Sequence, residues 1–190
     1  EAAVLGVSGG NRGIEIGSFS ALNSGGSITI SQTSDRAISV DKGGFSNWNG
    51  SVTVSELIGG RGIDLWQSKA SINNLKLLDF NNVGSGWKPA LQLSGGSSAY
   101  INGAVISGST DGALVSISDG SITKIENSTL TVGSASNAID AYGSTRLVLP
   151  NSNIHLGCAV ARRGHLRRFL RHAKSLLSIC HLGREGSCAR

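Results

Sequence analysis

A spacing of 24 residues governs this sequence. Between positions 112 and 156 one pattern occurs twice: Val115, Ile125, Asn127 and Leu130 return as Ile139, Leu149, Asn151 and Ile154. Self-similarity at a fixed period of this size indicates stacked structural units. Apolar and polar residues alternate over three to five positions at a time, so each unit is a coil of short strands and not a helical hairpin.

The register extends through most of the chain. A first inward column falls at Ile14, Ile38, Ile63, Leu91, Val115 and Ile139, with steps of 24, 25, 28, 24 and 24. A second falls at Ile28, Val52, Leu77, Ile106, Leu130 and Ile154. Three residues before each member of the second column stands Gly25, Asn49, Asn74, Gly103, Asn127 or Asn151. Glycine and asparagine enter the left-handed backbone region at least cost, so this position is expected to be a corner turned on every lap. A third apolar position appears as Ile72, Ile101, Ile125 and Leu149, while the first two laps offer Leu22 and either Phe45 or Trp48. Three short strands per lap of about 24 residues predict an all-β chain, a right-handed single-stranded parallel β-helix with laps about 4.8 Å apart.

Residues 13–157 hold six such laps. Stepping back 24 from Ile28 reaches Val4, so residues 1–12 are expected to end an earlier, partial lap of a longer solenoid. Lap three carries the longest excursion, Leu78 to Ala90, with Trp87 expected to fold over the coil. Protruding loops are where solenoids usually bind.

Charge and cysteine usage change at residue 158. Residues 1–157 carry nine Lys or Arg against 11 Asp or Glu, a net of −2, whereas residues 158–190 carry eight against one, a net of +7. The high overall charge therefore belongs to the tail, and no nucleic-acid partner is expected for the body. Cys158, Cys180 and Cys188 all lie in the tail, so stacked apolar columns must stabilise the body without disulfides. The tail places Leu166, Phe169, Leu170, Ala173, Leu176 and Leu177 at helical spacing among arginines, the pattern of a basic amphipathic helix at a membrane surface or partner. The abruptness of the change is what a shifted reading frame or a non-native junction gives, and that is the favoured expectation, which the genomic DNA around codon 157 would decide. His155 with Cys158, and Cys180 with His181 and Cys188, lack the two spaced ligand pairs of a zinc site. No apolar run is long enough for a transmembrane helix.

The cadence of ALQLSGGSSAYINGAVISG, LVSISDGSITKIENSTLTVG and RLVLPNSNIHL resembles the passenger domains of bacterial autotransporters, the pertactin-like group of secreted β-helix virulence factors. The resemblance covers residues 13–156. It implies a secreted or cell-surface protein held at the outer membrane through a C-terminal barrel that this sequence does not contain. It also implies a role in adhesion or immune evasion, with host-surface or bacterial glycans as partners.

Two outward columns bear on function. One residue after each first-column position come Glu15, Ser39, Asp64, Gln92, Ser116 and Asp140. Glu15 and Asp64 are two laps apart, roughly 9–10 Å, near the separation of an inverting glycosidase pair. They are the candidate catalytic residues, although any solvated strand face shows as many acids. Two residues before the column stand Arg12, Arg36 and Arg61, a stripe that would suit an anionic glycan or would pair with Asp35 and its neighbours. Asn49-Gly50-Ser51 and Asn127-Ser128-Thr129 match the glycosylation pattern, but turn geometry already explains both. No phosphate loop or HExxH helix occurs, so neither cofactor nor metal is expected. The favoured expectation is a monomeric, non-enzymatic stalk or adhesin segment. The alternatives are a pectate-lyase-like polysaccharide-degrading enzyme and a trimeric phage tail-fibre segment.

Overall fold

The computed structural model describes residues 4–57, 59–133 and 137–156. Every strand pairs in parallel with the strand one lap away. An opening strand β1 (Val4–Ser8) is followed by lap one, with β2 (Arg12–Ile16), β3 (Ala21–Ser24) and β4 (Ser27–Ser31). Lap two has β5 (Arg36–Asp41), β6 (Phe45–Trp48) and β7 (Val52–Ser55), and lap three β8 (Arg61–Trp66), β9 (Lys69–Asn73) and β10 (Leu75–Asn82). Lap four has β11 (Leu91–Ser94), β12 (Ser98–Asn102) and β13 (Val105–Thr110); lap five has β14 (Ala113–Ile117), β15 (Ile122–Glu126) and β16 (Thr129–Val132). Lap six closes with β17 (Asn137–Ala141), β18 (Arg146–Val148) and β19 (Asn153–Leu156).

Three sheets run the length of this β-solenoid. The first face stacks β2-β5-β8-β11-β14-β17, the second β3-β6-β9-β12-β15-β18, and the third β1-β4-β7-β10-β13-β16-β19. The first inward column forms as expected, with Ile14 paired to Ile38, Ile38 to Ile63, Ile63 to Leu91, Leu91 to Val115 and Val115 to Ile139. A parallel row beside it, Ile16, Val40, Leu65, Leu93, Ile117 and Ala141, fills the same face. Each fully buried aliphatic side chain in such rows contributes about 1.5–3 kcal/mol.

The second column needs a correction at lap three. Val52 pairs with Leu75, and Leu77 pairs with Val54 on one side and Ile106 on the other. The continuous row is Ile30, Val54, Leu77, Ile106, Leu130 and Ile154. Two corners share the cause. From Asp41 to Phe45 the chain takes four positions but from Trp66 to Lys69 three, and from Trp48 to Val52 four but from Ile72 to Leu75 three. Together the two single-residue shortenings move the pairing by two and leave every side chain on its own face, so Leu75 and Leu77 are both buried.

The corner residues divide along the same line. Asn74, Gly103, Asn127 and Asn151 are left-handed, with φ of 52°, 68°, 51° and 51°; Gly25 and Asn49 are not. In the last four laps a single left-handed residue turns the chain within three positions, as from Ile72 to Leu75; lap two takes four, from Trp48 to Val52. The extra residue replaces the left-handed one. The earlier-lap strand β1 does lie beside β4, but Leu5, not Val4, pairs with Ile28. Trp48, 1% exposed, takes the third inward position opposite Ile72, and Phe45 points away from the core.

The lap-three excursion starts inside β10, where the register shifts between Leu77 and Phe80. Asp111 Oδ2 accepts from the Gly84 and Gly86 amides at 2.9 and 3.2 Å, which pins the loop to lap five. Lys88 Nζ donates to the Gly59 carbonyl, and buried Asn82 donates to the Gly60 carbonyl at 2.6 Å, which pins it to the lap before. The Trp87 indole lies so close over Gly112 that a Cβ there would stand 1.8 Å from its Cδ1. The loop is thus a clasp over the coil, with Trp87 folded down as its sequence suggests. The tail calls, including the helix and Cys158, Cys180 and Cys188, fall outside the described residues.

Candidate functional site

The corner between the third and first faces holds the charged residues singled out above. Arg12, Arg36 and Arg61 each open a first-face strand, and they pair in register, Arg12 to Arg36 and Arg36 to Arg61. Glu15, Ser39 and Asp64 form the next outward row, Glu15 paired to Ser39 and Ser39 to Asp64. Strict alternation would put residues three apart on opposite sides of a strand. A bend prevents that here. At Gly13 an added Cβ would lie 2.5 Å from the Ala37 carbonyl oxygen and 2.8 Å from Ile30 Cγ2, and at Gly62 it would lie 2.3 Å from the Ala90 carbonyl oxygen. Positions 13 and 62 therefore turn toward the interior beside the inward isoleucines that follow them, and the chain needs glycine there to pass. The arginine and the acid three residues later emerge on one side.

They form a single ionic chain. Arg12 Nη1 meets Glu15 Oε2 at 2.9 Å, and Arg12 Nε meets Asp35 Oδ2 at 2.9 Å. Arg36 Nε stands 4.0 Å from Asp35 and 3.1 Å from Asp64 Oδ2, to which Arg61 Nη1 donates at 2.8 Å. The 3.1 Å contact is electrostatic, because the Arg36 Nε–H has no aligned acceptor; Arg61 supplies the directed bond. Hydrogen bonds donated to Glu15, first, and Asp35, second, raise the pKa of the Arg12 guanidinium above its ordinary value. Three cations and three carboxylates alternate, so the cluster carries no net charge. Like charges one lap apart would repel, and the interleaved acids remove that cost.

The outward acidic row is not the solvated face that alternation suggests. Asp64 is 4% exposed, and Ser39 and Ser116 are buried with it, while Glu15 remains exposed. For Asp64 the cause is its place between two guanidinium groups. The bend at Gly13 and Gly62 brings three arginines to the side of these acids, where strict alternation would have kept them apart.

For catalysis, Glu15 and Asp64 stand in one outward row two laps apart, the placement expected of them. Both already spend carboxylate oxygens on arginines, and Asp35, the third acid of the cluster, is likewise engaged by Arg12. Among the described residues no group of three His, Cys, Asp or Glu side chains could hold a metal ion. No helix of the described residues is long and apolar enough to cross a membrane.

Two further polar arrays were not legible as such. At the corner between the second and third faces an amide ladder climbs the stack. Asn73 donates to Asn49 at 3.4 Å, Asn102 to Asn73 at 3.5 Å, Asn127 to Asn102 at 2.8 Å and Asn151 to Asn127 at 3.4 Å. Asn127, of the Asn-Ser-Thr triplet, thus has both ends of its amide engaged. On the second face Tyr100 Oη donates to Glu126, Lys124 Nζ lies 2.5 Å from Glu126 Oε2, and the same ammonium sits 5.3 Å from the Tyr100 ring centre.

No family model, curated protein sequence or solved structure matches the chain, so function is argued from its residues and their geometry.

Proposed function

We propose that the chain is a structural segment of a secreted or cell-surface β-helix protein of the autotransporter-passenger kind, a stalk without catalytic activity of its own. The observation that carries this reading is the closed ionic chain from Glu15 to Arg61. The charged groups placed best for chemistry or anion binding satisfy one another, and in doing so they tie laps one, two and three together. The amide ladder serves the same end at another corner. Polar groups directed along the axis in this way suit a rod that presents or spaces something else.

The test is depolymerisation of acidic polysaccharides. Incubation with polygalacturonate is expected to release no reducing ends above background, for the parent and for the Glu15→Gln, Asp64→Asn double variant alike. Cleavage by the parent that the double variant loses would replace the stalk with an inverting hydrolase. Replacing Arg12, Arg36 and Arg61 together by alanine is expected to lower Tm and leave retention on heparin unchanged. A large loss of retention would make the row a glycan site instead.

A further inference from the structure

The corner between the first and second faces is turned by glycine in the later laps. Gly95 and Gly96 in lap four, Gly120 in lap five and Gly143 in lap six have φ of 66°, 82°, 77° and 72°, with Asp119 at 55° beside them. Laps one to three place side chains in the same left-handed region: Phe19 at 56°, Lys42 at 48° and Gln67 at 51°. A bulky residue in that region is a genuine outlier. Phe19 is also 90% exposed, so its ring gains almost no burial in return. Neither the turn nor the core accounts for it, and a strained residue without a folding role points to a functional one.

The neighbours make this a surface and not a single oddity. The Phe19 ring rests on Gly43, where a Cβ would lie 3.1 Å from two of its carbons. The Trp66 indole, 39% exposed, rests on Gly95, where a Cβ would lie 2.9 Å from Cδ1 and Nε1. Lys42 Nζ stands 5.5 Å from the centre of the Trp66 ring. Phe45, 40% exposed, donates its amide to Ser20 next to the same corner and pairs across laps with Lys69. Backbone bonds set the stagger: the Phe19 amide donates to the Lys42 carbonyl, and the Lys42 amide to the Trp66 carbonyl. Phe19 and Trp66 are consequently two laps apart, roughly 9–10 Å along the axis. Lys42 and Lys69 are exposed, and Asp41, in register with Trp66, is the acid of that stretch.

We propose that this corner binds an acidic glycan laid along the solenoid axis, with its sugar rings against the exposed Phe19 ring and the outer edge of the Trp66 indole and its carboxylates directed to Lys42 and Lys69. Exposed aromatic surface at two points two laps apart suits a chain of pyranoses, and two lysines against one aspartate favour an anionic one. The site is separate from the arginine row, which occupies a different corner. It requires no catalysis, so its failure and that of the stalk reading are distinguishable: retention reports on this corner, and release of reducing ends on the other.

The probe is immobilised polygalacturonate, with dextran as its neutral counterpart, at physiological ionic strength with the whole chain. Phe19→Gly and Trp66→Ala leave net charge unchanged, and each is expected to weaken retention on polygalacturonate by about fivefold. Phe19→Gly places the residue best suited to the left-handed region at that turn, so its Tm is expected to equal or exceed the parent's. Lys42→Gln is expected to weaken retention as well, and dextran to retain none of these proteins. Retention within twofold of the parent for both aromatic variants would show that charge alone holds the polymer and would overturn the proposal. Equal retention on dextran would overturn its anionic specificity. Loss of self-association in the aromatic variants, with retention unchanged, would make the corner a protein contact.

Discussion

Glu126 shows how single side chains respond to their lap neighbours. Its carboxyl lies below the ordinary range because Lys124, first, and Tyr100, second, bond to its charged form. Tyr100 and Lys124 are raised in turn, each chiefly by its bond to Glu126. A depressed carboxyl contributes stability above its unfolded pKa, about 4.3, and loses that contribution as pH falls through the folded value. The raised tyrosine contributes below its unfolded value, about 10, and loses this as pH rises through the folded one. The cluster therefore works fully between those limits. Following the Glu126 carboxyl carbon by NMR, Lys124→Gln is expected to raise its midpoint toward the unfolded value, and to do so more than Tyr100→Phe. Equal or reversed effects would assign the shift to a different cause.

At the scale of strands and corners, what could be read in advance depended on whether alternation was strict. The first-face row from Ile14 to Ile139 was legible, because an apolar residue recurs on one side of each short strand. The column position expected at Leu77 lies two residues beyond Leu75 because both are leucines on the same side, and only the lengths of the corners at Gln67 and Asn74, each one residue shorter than in lap two, distinguish them. The ionic chain was hidden by the opposite circumstance: Arg12 and Glu15 share a side only because the backbone bends at Gly13. The exposed ring of Phe19 lies at a corner between the inward columns, where apolar periodicity carries no signal. Asn49, Asn127 and Asn151 are legible as turn residues, but Asn73 and Asn102, which complete the ladder, stand one residue before the corner position, and the stacking requires neighbouring corners to be in register. That stacking has a consequence for the whole corner. Asn102 sits mid-ladder, donating to Asn73 and accepting from Asn127, so Asn102→Ala is expected to lower stability by about 1 kcal/mol in a denaturant titration, the net worth of a hydrogen bond at a partly exposed site. No change in the midpoint would mean that the amides stack without stabilising.

In the whole molecule each lap touches the laps beside it, so stability is approximately a sum of laps and interfaces. Polar arrays at two corners and apolar rows within serve the same interfaces, and the Trp87 clasp spans the lap-three excursion to reach Gly112. The stalk, the ionic chain and the aromatic corner all presuppose that residues about two dozen apart are neighbours. The most direct measurement is the set of methyl-to-methyl nuclear Overhauser contacts of Ile38 in the intact chain. The account predicts contacts from Ile38 to both Ile14 and Ile63, the residues paired with it on either side. Contacts of Ile38 confined to residues near it in sequence, with none to Ile14 or Ile63, would contradict it.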